Sequence, residues 1–145
     1  MVDGEQQGKI TISEFVEVVD DTGFGPANII EVGDPFTVWV EFELFTYEIH
    51  VLEDYLSYSV KYWLNALDVP QPTYQIPTRS GATVFGQHTY AQAVTEQKIP
   101  ASSLPAGIYQ IGAVVTFALN APPLPQRRYP LTAFTQPRTI QIYEP

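Results

Sequence analysis

The chain has 145 residues and a formal charge of −9, and it contains no cysteine. A chain of this length can bury enough surface to fold without a disulfide or a metal. The missing thiols exclude disulfides, thiolate metal sites and cysteine nucleophiles. Aromatic residues make up 13% of the sequence, which excludes a disordered chain. The negative charge argues against nucleic acid and anionic membranes as partners.

The ends of the chain and the distribution of charge give its coarse organisation. Residues 1–8 are predicted to form a flexible N-terminal segment, and residues 9–145 a single domain. No signal peptide is visible at the N-terminus, so the cytoplasm is the expected compartment. Residues 1–68 carry fourteen acidic and two basic side chains (−12), and residues 69–145 carry two acidic and five basic ones (+3). The second half is therefore suited to an acidic patch on a partner or on another copy of the chain.

Alternating apolar residues predict strands in the first third of the chain. "KITISEFVEVV" (9–19) is predicted to be the first strand, with a slip before Phe15 and Val16, and "DDTGFGP" has the composition of a turn. "FTVWVEFELF" (36–45) is the clearest strand. Its core face is Phe36, Val38, Val40, Phe42 and Leu44, and its other face is Thr37, Trp39, Glu41, Glu43 and Phe45.

The middle of the chain is harder to interpret. "YLSYSVKYWLNAL" (55–67) alternates as a strand would, but Leu52, Leu56, Val60, Trp63 and Leu67 would also line one side of a helix. Its density of Tyr, Ser, Val and Trp favours a strand. "TYQIP" (73–77) and "ATVFG" (82–86) are predicted to be short strands around a "TRSG" turn (78–81). "QHTYAQAVTEQKI" (87–99) is predicted to be a polar strand near an edge.

Two further strands complete the predicted fold. "LPAGIYQIGAVVTFAL" (104–119) places apolar residues on one face, and "RTIQIY" (138–143) closes the chain. About seven to nine strands separated by Pro/Gly turns, with no convincing helix, predict an all-β protein built as an antiparallel β-sandwich.

One stretch adds a resemblance to a known architecture. "LPAGIYQI" (104–111) resembles the tyrosine corner of immunoglobulin-like and fibronectin type III sandwiches, with Gly107 in the turn and Tyr109 entering the penultimate strand. "IIEVGDPFTVWVEF" (29–42) is similar to the entry of the second strand in bacterial immunoglobulin-like domains. The resemblance implies an immunoglobulin-like sandwich and a bond from the Tyr109 hydroxyl to upstream backbone. Both cysteines of that fold are missing, and Trp63 is offset from the buried alternation.

The sequence offers little for catalysis. His50 lies near Glu48, Glu53 and Asp54, but neither it nor His88 accompanies a nucleophile motif, a metal motif or a nucleotide-binding loop. We therefore expect no enzyme and no cofactor, with an enzyme built on His50 as a distant alternative.

Metal binding is not favoured either. Asp20, Asp21, Glu53 and Asp54 could offer oxygen ligands to calcium from sandwich loops. The spaced ligand series of a calcium loop is absent, so these residues are interpreted as a solvated acidic rim, and no metal ligand is assigned.

Both tryptophans fall on non-core faces of predicted strands, where a large exposed ring usually means a covered surface. Trp39 and Trp63 could pack under long loops, form a subunit interface, or make a platform on which a sugar stacks. Glu41 or Glu43 could bind sugar hydroxyls beside Trp39.

Residues 120–137, "NAPPLPQRRYPLTAFTQP", are predicted to be a long proline-stiffened loop between the last two strands. Pro122–Arg127 fits the PxxPxR pattern of peptides that bind Src-homology-3 domains, although a structural loop is the simpler interpretation. The predicted contact residues are Arg127, Arg128 and Tyr129, together with Trp39. The sequence thus favours a non-enzymatic module that binds a protein partner or assembles with itself, and the alternative is a carbohydrate-binding module.

Overall fold

The computed structural model describes residues 10–20, 28–45, 52, 54–68, 75–100, 104–120 and 122–145. This part of the chain is all-β and contains twelve strands and one four-residue helix, with bounds as follows: β1 Ile10–Ile12, β2 Glu17–Asp20, β3 Ile29–Glu31, β4 Phe36–Trp39, β5 Phe42–Leu44, β6 Leu56–Ala66, β7 Arg79–Ala82, β8 Thr89–Tyr90, α1 Gln92–Thr95, β9 Gln97–Ile99, β10 Gly107–Leu119, β11 Arg127–Phe134 and β12 Arg138–Tyr143. Over the same residues, no helix has the length and apolar character needed to cross a bilayer.

The large sheet is built around the two longest strands. Its order is β3-β12-β10-β6-β7, and β11 pairs with the second half of β10. The β6–β10 pairing runs antiparallel from Leu56 opposite Leu119 to Ala66 opposite Tyr109. β3 pairs with β12 in parallel, so the sheet is mixed. Every second residue of β6 and β10 is buried over most of their length, as the alternation in their sequences requires.

The second layer consists of two three-stranded sheets, β1-β5-β8 and β2-β4-β9. They continue one another, because each strand of the first sheet lies close in sequence to the corresponding strand of the second. Only Val40 and Glu41 separate β4 from β5. We call this layer the interrupted layer.

The core lies between the large sheet and the interrupted layer, an arrangement consistent with a β-sandwich. Phe42 of the interrupted layer meets the edges of Tyr58 and Phe117 of the large sheet, at centroid distances of 5.4 and 5.8 Å. It also stacks on Tyr90 at 5.0 Å. Such aromatic contacts are preferred geometries that add to the stabilisation from buried area.

Hydroxyl side chains bond backbone groups where the strands are interrupted. Between β1 and β2, the Glu41 amide donates to Ser13 Oγ at 3.0 Å. Between β8 and β9, Thr95 Oγ1 donates to the Val40 carbonyl and accepts from the Val40 amide. Between β11 and β12, the Ala113 amide donates to Thr135 Oγ1 at 3.0 Å. These side chains supply bonds that the neighbouring strand would otherwise make.

The structure confirms the strand predictions that rest on strong alternation. Residues 56–66 form β6, so the helical alternative for 55–67 is wrong. Residues 138–143 form β12, and the predicted core face of residues 36–45 is buried. That segment is nevertheless two strands, β4 and β5.

Other boundaries were predicted wrongly. The predicted strand over 9–19 is divided into β1 and β2. The predicted "TRSG" turn lies largely within strand β7, whereas residues 83–86 of the predicted "ATVFG" strand belong to no strand. Residues 87–99 form β8, α1 and β9 rather than one strand, although β8 and β9 do lie at an edge of their sheets.

The predicted loop over 120–137 is the largest correction. Residues 127–134 are strand β11, whose Leu131 and Ala133 are buried. The prolines do not prevent this, because Pro130 lies where the register shifts between Thr116 and Phe117, and a bulge of this kind leaves an amide unpaired. Residues 1–8, with the flexible segment predicted there, lie outside the described residues.

Candidate binding surfaces

The outer face of the large sheet carries large apolar side chains in solvent. Ile29 and Ile108 both lie opposite Gln141 in register, and the Leu67 amide bonds the Ile108 carbonyl, which extends the same cross-strand row. The exposed fractions are 62% for Ile29, 52% for Leu67 and 37% for Ile108. Phe134, opposite Val114, is 70% exposed. Asn65 and Gln110, opposite each other, lie between the Ile108 row and Phe134, so the face carries two separate apolar patches, and exposed apolar patches usually indicate a contact surface.

Trp63 lies on the same face, over Gly112. The two residues are opposite each other in register, and a Cβ atom built on Gly112 would overlap the indole ring. Glycine at this position is what allows the ring to lie against the sheet. Trp63 is half-buried and faces outward, as its offset from the buried alternation predicts.

A basic groove occupies the other end of the large sheet, where β6, β10 and β11 meet. It has a volume of about 450 Å³ and is lined by hydroxyl, amide and guanidinium groups together with an alanine and a phenylalanine: Ser57, Ser59, Thr116, Phe117, Ala118, Gln126, Arg127 and Arg128. Arg127 and Arg128 lie at the start of β11, opposite Leu119 and Ala118, and both are exposed. By alternation Arg128 lies on the outer face with Ala118, and Arg127 lies on the side of Leu119. The described lining has no carboxylate, so the groove is suited to an anionic group.

The third predicted contact residue, Tyr129, plays a different part. It lies opposite Phe117, is half-buried and packs against the core. Its ring therefore holds β11 to the sandwich, and the two arginines are the exposed members of the trio. The proline segment before them is the tip of the β10–β11 hairpin.

Trp39 forms one wall of a pocket on the outer face of the interrupted layer. The pocket has a volume of about 360 Å³, and its charged lining residues are Glu17, Glu41 and Glu43. Glu17 lies directly opposite Trp39 in register. Trp39 Nε1 is buried and has no hydrogen-bond partner among the described residues. The pocket thus combines an aromatic wall with three carboxylates, a set of groups that attracts cations.

The structure does not bring Trp39 and the arginine pair together within one copy. Trp39 alternates with the buried Val38 and Val40, so it faces away from the core on the interrupted layer. Arg128 faces away from the core on the large sheet, in register with Ala118. The acidic pocket and the basic groove therefore lie on opposite outer faces of the molecule.

The predicted structural pair, Gly107 and Tyr109, lies at the start of β10. The Tyr109 hydroxyl donates to the Pro105 carbonyl at 2.6 Å. Gly107 begins β10, opposite Ile142. Burial raises the pKa of the Tyr109 hydroxyl, so the group remains a neutral donor.

The predicted catalytic and metal candidates lie partly outside the described segments. The described residues contain no group of three His, Asp or Glu side chains that could hold a metal ion. Asp20 pairs in β2 with Phe36, and Asp54 lies in a turn. His50, Glu48, Asp21 and Glu53 lie outside the described residues. His88 is half-buried before β8.

Sequence reasoning missed the apolar row on the large sheet. Ile29, Leu67 and Ile108 are far apart in sequence, and each looks like an ordinary residue at the end of a strand. The parallel pairing of β3 with β12 brings Ile29 into the same cross-strand row, with Gln141 between it and Ile108. Phe134 was missed as a sheet residue because it was placed in a loop. No known protein family matches this chain, and no characterised protein is significantly similar to it in sequence.

Proposed function

We propose that the chain is an immunoglobulin-like sandwich that acts as a non-enzymatic module for protein binding or self-assembly. Four interruptions divide otherwise continuous strand paths (β1/β2, β4/β5, β8/β9 and β11/β12), so the twelve strands correspond to eight paths in two facing layers. The last path, formed by β11 and β12, lies beside β10, and β10 lies beside β6. This is the order of the G, F and C strands in that fold. The bond from Tyr109 to Pro105 at the start of β10 supports the same assignment.

The observation that carries the functional proposal is the group of exposed apolar side chains on the large sheet. Each large apolar side chain that moves from water into an interface contributes about 1.5–3 kcal/mol. Ile29, Leu67, Ile108 and Phe134 would each contribute to a contact on this face, and their combined gain has to exceed the cost of association. The large sheet is therefore the proposed contact face, with Arg127 and Arg128 at its basic end.

Self-association can be tested by light scattering coupled to size exclusion, from about 1 μM to about 1 mM, the range in which weak contacts dissociate. We expect the apparent mass of the wild type to rise with concentration. An Ile108→Ser/Phe134→Ser variant should remain monomeric over the same range.

The chain supplies a matched control for this experiment. Val84 and Phe85 are also strongly exposed, but they lie in the segment between β7 and β8. A Val84→Ser/Phe85→Ser variant removes similar apolar surface and should associate like the wild type. Equal loss of association in both variants would indicate non-specific hydrophobic association and would count against the large sheet as the contact face.

A carbohydrate-binding module is a second candidate, and the position of Trp63 favours it. An indole ring that lies against a sheet and faces outward offers the kind of surface on which a sugar ring stacks. Asn65 and Gln110 are opposite each other one row away on the same outer face, where their amides could bond sugar hydroxyls. Titration with oligosaccharides should then change tryptophan fluorescence in the wild type and in Trp39→Phe, but not in Trp63→Phe. An unchanged spectrum with every glycan tested would eliminate this candidate.

A further inference from the structure

The molecule presents two surfaces of opposite charge on opposite faces. The acidic pocket on the interrupted layer has Glu17, Glu41 and Glu43 around Trp39, and its described lining has no lysine or arginine. The basic groove on the large sheet has Arg127 and Arg128 and no acidic residue in its described lining. Within one copy these surfaces cannot meet, because the core of the sandwich lies between them.

We infer that copies of this chain stack head-to-tail, with the Arg127/Arg128 groove of one copy seated on the Trp39/Glu41/Glu43 pocket of the next. This inference rests on the proposed function and names the partner as a second copy. It gives one role to Arg127, Arg128 and Trp39, three of the predicted contact residues, and to Glu41 and Glu43 beside Trp39.

The two surfaces are complementary in the types of side chain they carry as well as in charge. A guanidinium group stacks on an indole face more favourably than an ammonium group does, and its planar fork binds carboxylates with two parallel hydrogen bonds. The pocket therefore offers an arginine an aromatic wall and carboxylates at the same place. Its volume of about 360 Å³ has room for an arginine side chain.

Trp39 Nε1 is buried and has no hydrogen-bond partner among the described residues, and a buried donor without an acceptor costs about 1–3 kcal/mol. On docking, a rotation of the ring would let this N–H donate to the amide oxygen of Gln126, which lies in the basic groove beside Arg127.

The placement on opposite faces fixes the kind of assembly. A contact between two different surfaces of the same chain leaves one surface of each kind free at the ends, so further copies can add until the series closes in a ring or continues as a filament. A symmetric dimer would instead use one surface twice.

The charge of −9 on each copy opposes association at long range. Salt therefore weakens both the attraction between the two surfaces and this repulsion, so salt dependence is not a clean test.

Neutral substitutions on each surface give a decisive test. Arg127→Ala/Arg128→Ala removes the basic surface, and Glu41→Ala/Glu43→Ala removes the acidic one. All four side chains are exposed, so both variants should fold, which circular dichroism checks. Sedimentation velocity should show a wild type that grows past the dimer as its concentration rises. Each variant alone should associate at least about 30-fold more weakly, the effect of truncating one side of a close charge pair.

The mixture of the two variants distinguishes this arrangement from others. The variant without arginines keeps an intact pocket, and the variant without the two glutamates keeps an intact groove. An equimolar mixture should therefore form dimers and stop there. The controls Lys98→Ala and Glu14→Ala remove exposed charges outside both surfaces and should assemble like the wild type.

The outcomes that overturn the inference are distinct from those that overturn the proposed function. If the wild type associates and both variants associate equally well, or their mixture stays monomeric, head-to-tail stacking is wrong while the large sheet remains a contact face. A wild type that stops at a dimer also refutes it. A wild type that stays monomeric at about 1 mM, the limit of a weak contact, removes both this inference and self-assembly as the function.

Discussion

Replacing Thr95 with valine tests whether buried hydroxyl groups compensate for the interruptions of the strands. Valine keeps the shape of the side chain but removes the oxygen that bonds the Val40 carbonyl at 2.5 Å and the Val40 amide at 3.3 Å. Thr95 and Val40 are both 0% exposed, so water cannot replace the hydroxyl. A buried group left without a partner costs about 1–3 kcal/mol. The hydrogen bond from the Val40 amide is long, so the lost bond to the Val40 carbonyl accounts for most of the effect. We expect the free energy of unfolding to fall by about 2–3 kcal/mol.

Two other buried threonines provide a graded comparison. Thr135→Val leaves only the Ala113 amide without its 3.0 Å acceptor, so a loss of about 1–2 kcal/mol is expected. Thr83→Val removes a bond to the Leu56 carbonyl, but that carbonyl keeps the Thr83 amide at 2.9 Å. The loss there should be about 1 kcal/mol or less.

The assay is urea unfolding followed by tryptophan fluorescence, with the slope of the transition checked for constancy across variants. Thr95→Ser keeps the hydroxyl and removes a methyl group, so it should cost about 1 kcal/mol. The reasoning is refuted if Thr95→Val is no more destabilising than Thr83→Val, or if Thr95→Ser is as destabilising as Thr95→Val.

Three further predictions follow from single contacts. Gly112→Ala should push Trp63 off the sheet, which shifts its emission to longer wavelength and costs about 1 kcal/mol, and an unchanged spectrum would contradict the packing. Burial raises the pKa of Tyr62 above its ordinary value of 10.0. The stability that the neutral hydroxyl contributes is thus complete below pH 10 and is lost as the pH rises toward the pKa of Tyr62 in the folded state. The free energy of unfolding should therefore fall less steeply above pH 10 in Tyr62→Phe than in the wild type. Tyr109→Phe should cost about 1 kcal/mol in urea unfolding, since it removes the 2.6 Å bond to Pro105, and a neutral effect would argue against the tyrosine corner.

The large sheet could be predicted from sequence to the extent that its strands alternate. β6 and β10 are long, and their buried residues recur at every second position, so local pattern and tertiary burial agree. The interruptions could not be predicted in the same way. Ser13, Thr95 and Thr135 look like polar residues of an ordinary strand, and their role depends on backbone groups 22 to 55 residues away.

The candidate surfaces were predictable only as separate residues. Alternation alone places Trp39 with Glu41 and Glu43 on one face, since all three belong to one stretch of sequence. The basic groove required the pairing of β11 with β10, which the five prolines of residues 120–137 concealed. The relative placement of the two surfaces is a property of how the layers face each other, and no local pattern contains it.

The short and broken strands at the margins of the two layers have a consequence for how this protein can fail. β3, β7, β8 and β9 have between two and four residues each, and Pro130 removes a donor in the middle of β11. When a strand of another chain pairs with one of these sheet edges, the edge offers too few consecutive free amides to hold that strand in register. Templated growth of the fibrillar, amyloid kind is therefore disfavoured, and a polymer of this protein should dissolve on dilution.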